Sequence, residues 1–136
     1  TGISRTMVLP SKLPLKNAKF FICSFYSMAV STINRANLPA DLAKKLPQYP
    51  IPVFLIAQLA RHKNFRGKNL GEITLIKSLE HLLQINEHMK SYAVIVDCLN
   101  ERAQKFYEKY GFKVLCVNNG RSRMYLPMKT IKELFR

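Results

Sequence analysis

Pro50-Ile51-Pro52-Val53-Phe54-Leu55-Ile56-Ala57-Gln58-Leu59-Ala60-Arg61-His62-Lys63-Asn64-Phe65-Arg66-Gly67-Lys68-Asn69-Leu70-Gly71-Glu72 is the stretch on which the reading of this chain turns. Residues 53–60 are almost continuously apolar, short and rich in β-branched side chains, the signature of a buried strand. A basic loop with two glycines follows, Arg66-Gly67-Lys68-Asn69-Leu70-Gly71. A helical pattern then begins at once: Ile73, Ile76, Leu79 and Leu83 recur at three and four residues, and Leu75 and Leu82 widen the stripe. A strand feeding a glycine-containing basic loop that opens a helix is suited to anions. The first turn of a helix has unpaired N–H groups and a positive dipole end, and small residues let phosphate oxygens approach them. The nucleotide P-loop is excluded, because no Gly-Lys-Ser/Thr follows.

Downstream lies Asn100-Glu101-Arg102-Ala103-Gln104-Lys105-Phe106-Tyr107-Glu108-Lys109-Tyr110-Gly111-Phe112. The two stretches together resemble the GNAT acetyltransferase superfamily. The loop is similar to its Gln/Arg-x-x-Gly-x-Gly/Ala signature at Arg66 and Gly71, with Asn69 where the family has glycine. The second stretch is similar to the family's Asn-x-x-Ala-x-x-Phe-Tyr-x-x-x-Gly-Phe segment. Ser4-Arg5-Thr6, Phe25-Tyr26-Ser27-Met28-Ala29, Pro50-Ile51-Pro52-Val53 and Leu59-Ala60 resemble the GNAT toxins of bacterial toxin–antitoxin pairs in particular.

Charge narrows the partners. The 136 residues hold 22 Lys and Arg against 8 Asp and Glu, a net charge of +14. That excess is spread through the chain and attracts phosphate polymers and anionic cofactors through long-range, salt-sensitive forces. A generically basic surface, or a patch for an acidic protein, would carry the same composition. The length suits one domain, residues 1–136, able to bury roughly two-thirds of its unfolded surface. No apolar stretch reaches the ~20 residues of a membrane span and nothing at the start reads as a signal peptide, so a cytoplasmic protein is expected. Cys23, Cys98 and Cys116 fit no metal or redox spacing and are expected as reduced core or near-core thiols.

Taken in order, residues 4–9 read as a short strand and 19–33 as a long one, with 39–46 as a short helical turn between prolines. After the central strand and long helix come a buried strand at 92–98 and a helix at 101–109, capped by Asn100 and closed by Gly111. A strand at 112–117, a turn at Asn118-Asn119-Gly120 and a partner strand at 123–128 form a hairpin, and 130–135 close as a short helix. The expected fold is α/β (α+β): a mixed, mostly antiparallel sheet of about six strands with two main helices. Beside the superfamily, the usual first strand and first helices have no counterpart here.

The resemblance implies transfer of acetyl from acetyl-CoA to the α-amine of an aminoacyl-tRNA, blocking translation. It also implies neutralisation by a ribbon-helix-helix antitoxin, with a homodimer as a further possibility. It places the cofactor's pyrophosphate on Arg66, Gly67, Lys68, Asn69, Leu70 and Gly71, its thioester along Leu59-Ala60-Arg61, and Asn100, Ala103 and Phe106 on the cofactor side. His62 stands where the toxin pattern usually has Asp. Tyr107 matches the motif tyrosine, and a phenol near ~10 can donate a proton to a thiolate leaving group. Ala103, Phe106, Tyr107 and Tyr110 fall at i, i+3, i+4, i+7, which is equally a plain core-facing stripe. Asn100 is open between a pure helix cap and a cap that also meets the cofactor. His62, His81 and His88 have no spaced metal partner and read as solvated. No carboxylate stands out as a base. An α-amine titrates near ~8 against ~10.4 for lysine, so an aminoacyl end needs a base less than a protein lysine does. A protein N-terminal or small-amine acetyltransferase, and an inactive fold that only binds an antitoxin or RNA, are the alternative readings.

Overall fold

The computed structural model describes residues 2–10, 20–34, 36, 38, 40–46, 50–61 and 70–135. Six strands form one sheet: β1 (Gly2–Pro10), β2 (Phe20–Ile33), β3 (Ile51–Arg61), β4 (Ala93–Cys98), β5 (Lys113–Asn118) and β6 (Arg121–Pro127). Their order across the sheet is β1-β2-β3-β4-β6-β5. Every neighbouring pair is antiparallel except β3 with β4, so the mixed sheet expected from the sequence is the one observed. A parallel pair requires a crossover, and α2 (Leu70–Asn86) supplies it. The second main helix is α3 (Glu101–Lys109), at the bounds its Asn cap and terminal glycine predict. Two short helices complete the set, α1 (Ala40–Ala43) and α4 (Met128–Leu134).

Strand alternation divides the core. Phe54, Ile56, Val94, Val96, Cys98, Met124 and Leu126 enter the larger cluster with α2 and α4, while Val53, Ala93 and Ile95 enter a smaller one with Ile33 and Leu115. β4 contributes to both clusters, Val94, Val96 and Cys98 to the larger and Ala93 and Ile95 to the smaller, with Asp97 its one exposed residue.

α2 is rotated from the expected stripe. Leu75, Leu79 and Leu82 are fully buried, whereas Ile73 and Ile76 remain 39% exposed. The buried face runs instead through Thr74 and Ser78, whose short side chains let the helix lie close to the sheet. The Ser78 hydroxyl donates to the Leu75 carbonyl at 2.6 Å, so its burial leaves no polar atom unsatisfied. Asn86 closes the helix: its side-chain oxygen accepts the Ser91 N–H at 2.8 Å and fixes the entry to β4.

The β5–β6 turn is the tight hairpin that Asn119-Gly120 predicts, with positive φ at both residues (52° and 76°). α4 starts two residues earlier than expected. Pro127 ends β6 in an extended conformation, and the Met128 N–H donates to the Tyr92 carbonyl at 2.8 Å. That bond ties the start of α4 to the start of β4.

Candidate active site

The site begins with one extra residue. Between β2 and β3 the register passes from Met28↔Ile56 to Ser27↔Gln58, leaving Ala57 as a bulge. A bulge bends its strand and increases the local twist. The β3–β4 ladder runs from Val53↔Ala93 to Ile56↔Val96 and stops there. Beyond it β4 continues on β6 to Cys98, while β3 continues on β2 to Arg61. The two central strands therefore part, and the β4-facing backbone edge of β3 opens onto a gap.

A cavity of about 390 Å³ lies beside that gap, lined by Leu59, Gly71, Asn100, Arg102, Ala103, Phe106 and Tyr107. Six sequence-predicted residues thus meet on one wall: Leu59 from β3, Gly71 from the first turn of α2, and Asn100, Ala103, Phe106 and Tyr107 from α3 and its cap. Ala60 and Arg61 continue β3, paired with Phe25 and Ser24, and Leu70 opens α2. Arg66, Gly67, Lys68 and Asn69 lie outside the described residues, as does His62. Arg102 was not among the expected residues. Its signal was present in the sequence, a cation in the first turn of the helix one position before the small Ala103.

α3 is held for this purpose by local chemistry. Asn100 is extended (φ −158°, ψ 177°), and its side-chain oxygen accepts the Ala103 N–H at 2.8 Å. The helix ends where Gly111 takes φ +93°, a left-handed turn closed by the Phe112 N–H donating to the Tyr107 carbonyl at 3.2 Å. Phe112 is thereby folded under Tyr107, edge-on at 5.3 Å between ring centroids, and Phe106 flanks it at 5.2 Å. Tyr107 packs against the core and also borders the cavity.

That packing sets its ionisation. Burial, and then the neighbouring Cys98, push the Tyr107 phenol up to about 12, so it keeps its proton at neutral pH. Burial, then the charges of Asp97 and Glu108, likewise push the Cys98 thiol up. Cys98 is buried and Cys116 half-buried, both free, as the sequence suggested; the Cys23 side chain is outside the described set. His88 is exposed, but His81 is not the solvated residue expected. It is half-buried on α2, with Nδ1 3.3 Å from the Tyr26 hydroxyl, because the rotation of α2 turns it toward β2.

The profile of the acetyltransferase (GNAT) family matches residues 43–112, just over half of the chain and all seven cavity-lining positions. The chain belongs to that family. Acetyl-CoA is the acyl donor of GNAT enzymes. A tRNA-acetylating toxin of Mycobacterium tuberculosis (strain ATCC 25618 / H37Rv) is 26% identical over 93 residues, covering 68% of this chain. The match spans 55% of that relative's own length. A crystal structure of a mutant of KacT superposes with a TM-score of 0.81 at 23% identity, covering 97% of this chain and 74% of the other. AtaT complexed with acetyl-methionyl-tRNAfMet gives a TM-score of 0.74 at 26% identity, over 85% of this chain and 68% of AtaT. AtaT has also been solved with the C-terminus of the antitoxin AtaR.

Proposed function

We propose that this GNAT chain is a toxin that transfers acetyl from acetyl-CoA to the α-amino group of an aminoacyl-tRNA and so blocks translation. The observation that carries the reading is a protonated, desolvated Tyr107 beside a cavity where two central strands part, in a chain of net charge +14. The named substrates of the relatives, tRNA and acetyl-methionyl-tRNA, support it.

Each wall of the cavity has a task. The free edge of β3 at Leu59, Ala60 and Arg61 offers backbone groups to the amides of the cofactor's arm, in the manner of an added strand. Gly71, in the first turn of α2 with Leu70, presents N–H groups to its pyrophosphate, with Arg66, Gly67, Lys68 and Asn69 ahead of it in the chain. Arg102 adds a positive charge on the α3 side. Ala103 keeps that wall low, Phe106 closes it with apolar surface, and Asn100 has an amide N–H₂ to donate while its oxygen caps the helix. The bound donor supplies a thioester carbon open to attack by an amine.

Tyr107 provides the proton. Its hydroxyl stays protonated through the physiological range and donates toward the departing sulfur, stabilising the charge that develops there. No residue is assigned as a base. The α-amine next to an ester titrates below ~8, so much of it arrives neutral. The protein partner in this reading is an antitoxin of the ribbon-helix-helix type, and the AtaT–AtaR complex supports an antitoxin as partner.

The test offers labelled acetyl-CoA and bulk tRNA, charged or deacylated, to the purified chain. Label is expected on charged tRNA alone and in the N-acetylaminoacyl fraction after mild base. Cofactor binding without transfer to charged tRNA would move the activity to another amine. No cofactor binding by calorimetry would leave a fold that serves only to bind partners.

A further inference from the structure

A shallow cavity of about 240 Å³ opens between α2 and β2, lined by Tyr26, Lys77, Glu80, His81 and Gln84. It shares no residue with the active-site cavity. Tyr26 is only 5% exposed, and its hydroxyl lies 3.3 Å from Nδ1 of His81. The phenol and imidazole rings meet edge-on, with centroids 6.2 Å apart.

Each member of this pair is one step from the active-site cavity. Tyr26 is the direct cross-strand partner of Leu59, and both side chains pack into the larger core. His81 lies on α2 roughly three turns beyond Gly71. Leu59 and Gly71 line the active-site cavity from different elements, and the Tyr26–His81 hydrogen bond joins those elements from outside it.

The position of the bond matters because β3 is short of partners there. Among the described residues the ladder to β4 ends at Ile56↔Val96, and Gln58, Leu59, Ala60 and Arg61 pair with β2 alone. Apolar packing holds a helix against a sheet but is non-directional, so it resists separation better than sliding. A hydrogen bond fixes both a distance and an angle. An acyl donor lying along β3 with its pyrophosphate at α2 touches both elements at once. Sliding between them has to be frozen when it binds, and a bond that freezes it beforehand lowers that cost.

We propose that Tyr26 and His81 are positioning residues, which hold the free edge of β3 at a set distance from the first turn of α2 so that acetyl-CoA meets both already spaced. This rests on the cofactor placement proposed above and adds the residues that space its two walls.

The experiment titrates wild type, Tyr26→Phe, His81→Ala and His81→Gln with acetyl-CoA by calorimetry, and with ADP, which carries the pyrophosphate alone, by competition. Tyr26→Phe and His81→Ala are each expected to weaken acetyl-CoA about 3- to 10-fold, the scale of one side-chain hydrogen bond. ADP affinity stays at the wild-type value, because a probe of one wall is blind to the spacing of two; that also shows the variants fold. His81→Gln, whose amide can still bond the hydroxyl, should recover part of the acetyl-CoA affinity. Wild-type acetyl-CoA affinity in both Tyr26→Phe and His81→Ala would overturn the positioning role. Parallel losses of acetyl-CoA and ADP would overturn it in favour of a general loosening of α2. A wild-type chain that binds acetyl-CoA but not ADP would overturn the pyrophosphate placement on α2, and one that binds neither would overturn the cofactor site and the pair's role together.

Discussion

The two halves of the β3–β4 seam are the same pair of strands under opposite requirements. From Val53 to Ile56 the strands are hydrogen-bonded, and Ala93, Val94, Ile95 and Val96 opposite them are sealed from solvent. Past the Ala57 bulge the strands separate, and Leu59, Ala103, Phe106 and Tyr107 are only half-buried around a cavity. One half holds the sheet together, and the other leaves its strands unpaired around a cavity. Stability and the proposed chemistry are thus assigned to different residues of one seam, and substitutions in the two halves should have different readouts.

The largest expected effect is at the open half. Tyr107→Phe keeps the ring between Phe106 and Phe112 but removes the proton, and should slow acetyl transfer by about 10²–10⁴-fold. Acetyl-CoA affinity and melting temperature should stay near wild type; a variant that transfers at the wild-type rate would return Tyr107 to a packing role. At the closed half the pattern reverses. Ile95→Ala, at a fully buried position of β4, should cost about 2–5 kcal/mol in urea unfolding. Activity per folded molecule should not change, and a selective loss of rate would show that the two halves are coupled.

Alkaline pH probes the seam from the Tyr107 side. The folded state holds the Tyr107 proton up to about 12, whereas an unfolded tyrosine releases it near ~10. The unfolded state therefore binds fewer protons between those values, and this contribution, intact below pH ~10, is lost as pH rises toward ~12, about 2–3 kcal/mol in all. The difference in stability between wild type and Tyr107→Phe across that window measures it; parallel curves would mean the phenol is not desolvated. The smallest effect is Asn100→Ala, which deletes the α3 cap and should cost about 1 kcal/mol. A loss of acetyl-CoA affinity beyond that change in stability would assign Asn100 to the cofactor as well.

Much of this was legible in the sequence for physical reasons. α3 announces itself through an Asn cap and a closing glycine, the hairpin through Asn119-Gly120, and β4 through an unbroken apolar run, all of them local signals. What the sequence hides depends on pairing. The bulge at Ala57 parts the strands yet is a single alanine in an apolar run. Asp97 and Arg123 are 26 residues apart and meet only once β4 and β6 are in register. His81 reads as polar surface until α2 rotates Ile73 and Ile76 outward and brings it to Tyr26. Arg102 is an ordinary helix-surface cation until the cavity beside it is seen.

The order of strands has a further consequence for a protein proposed to halt its own ribosome. β6 lies between β4 and β5, although residues 121–127 leave the tunnel after every other strand. A nascent chain already carrying Tyr107 still lacks Met124 and Leu126, two of the most deeply buried side chains, and one edge of β4 is unsealed. Folding during synthesis proceeds from the N-terminal side, so the packing beneath Tyr107 stays unfinished until β6 is threaded in. The topology thereby completes the closed seam only once residues 121–127 have been made.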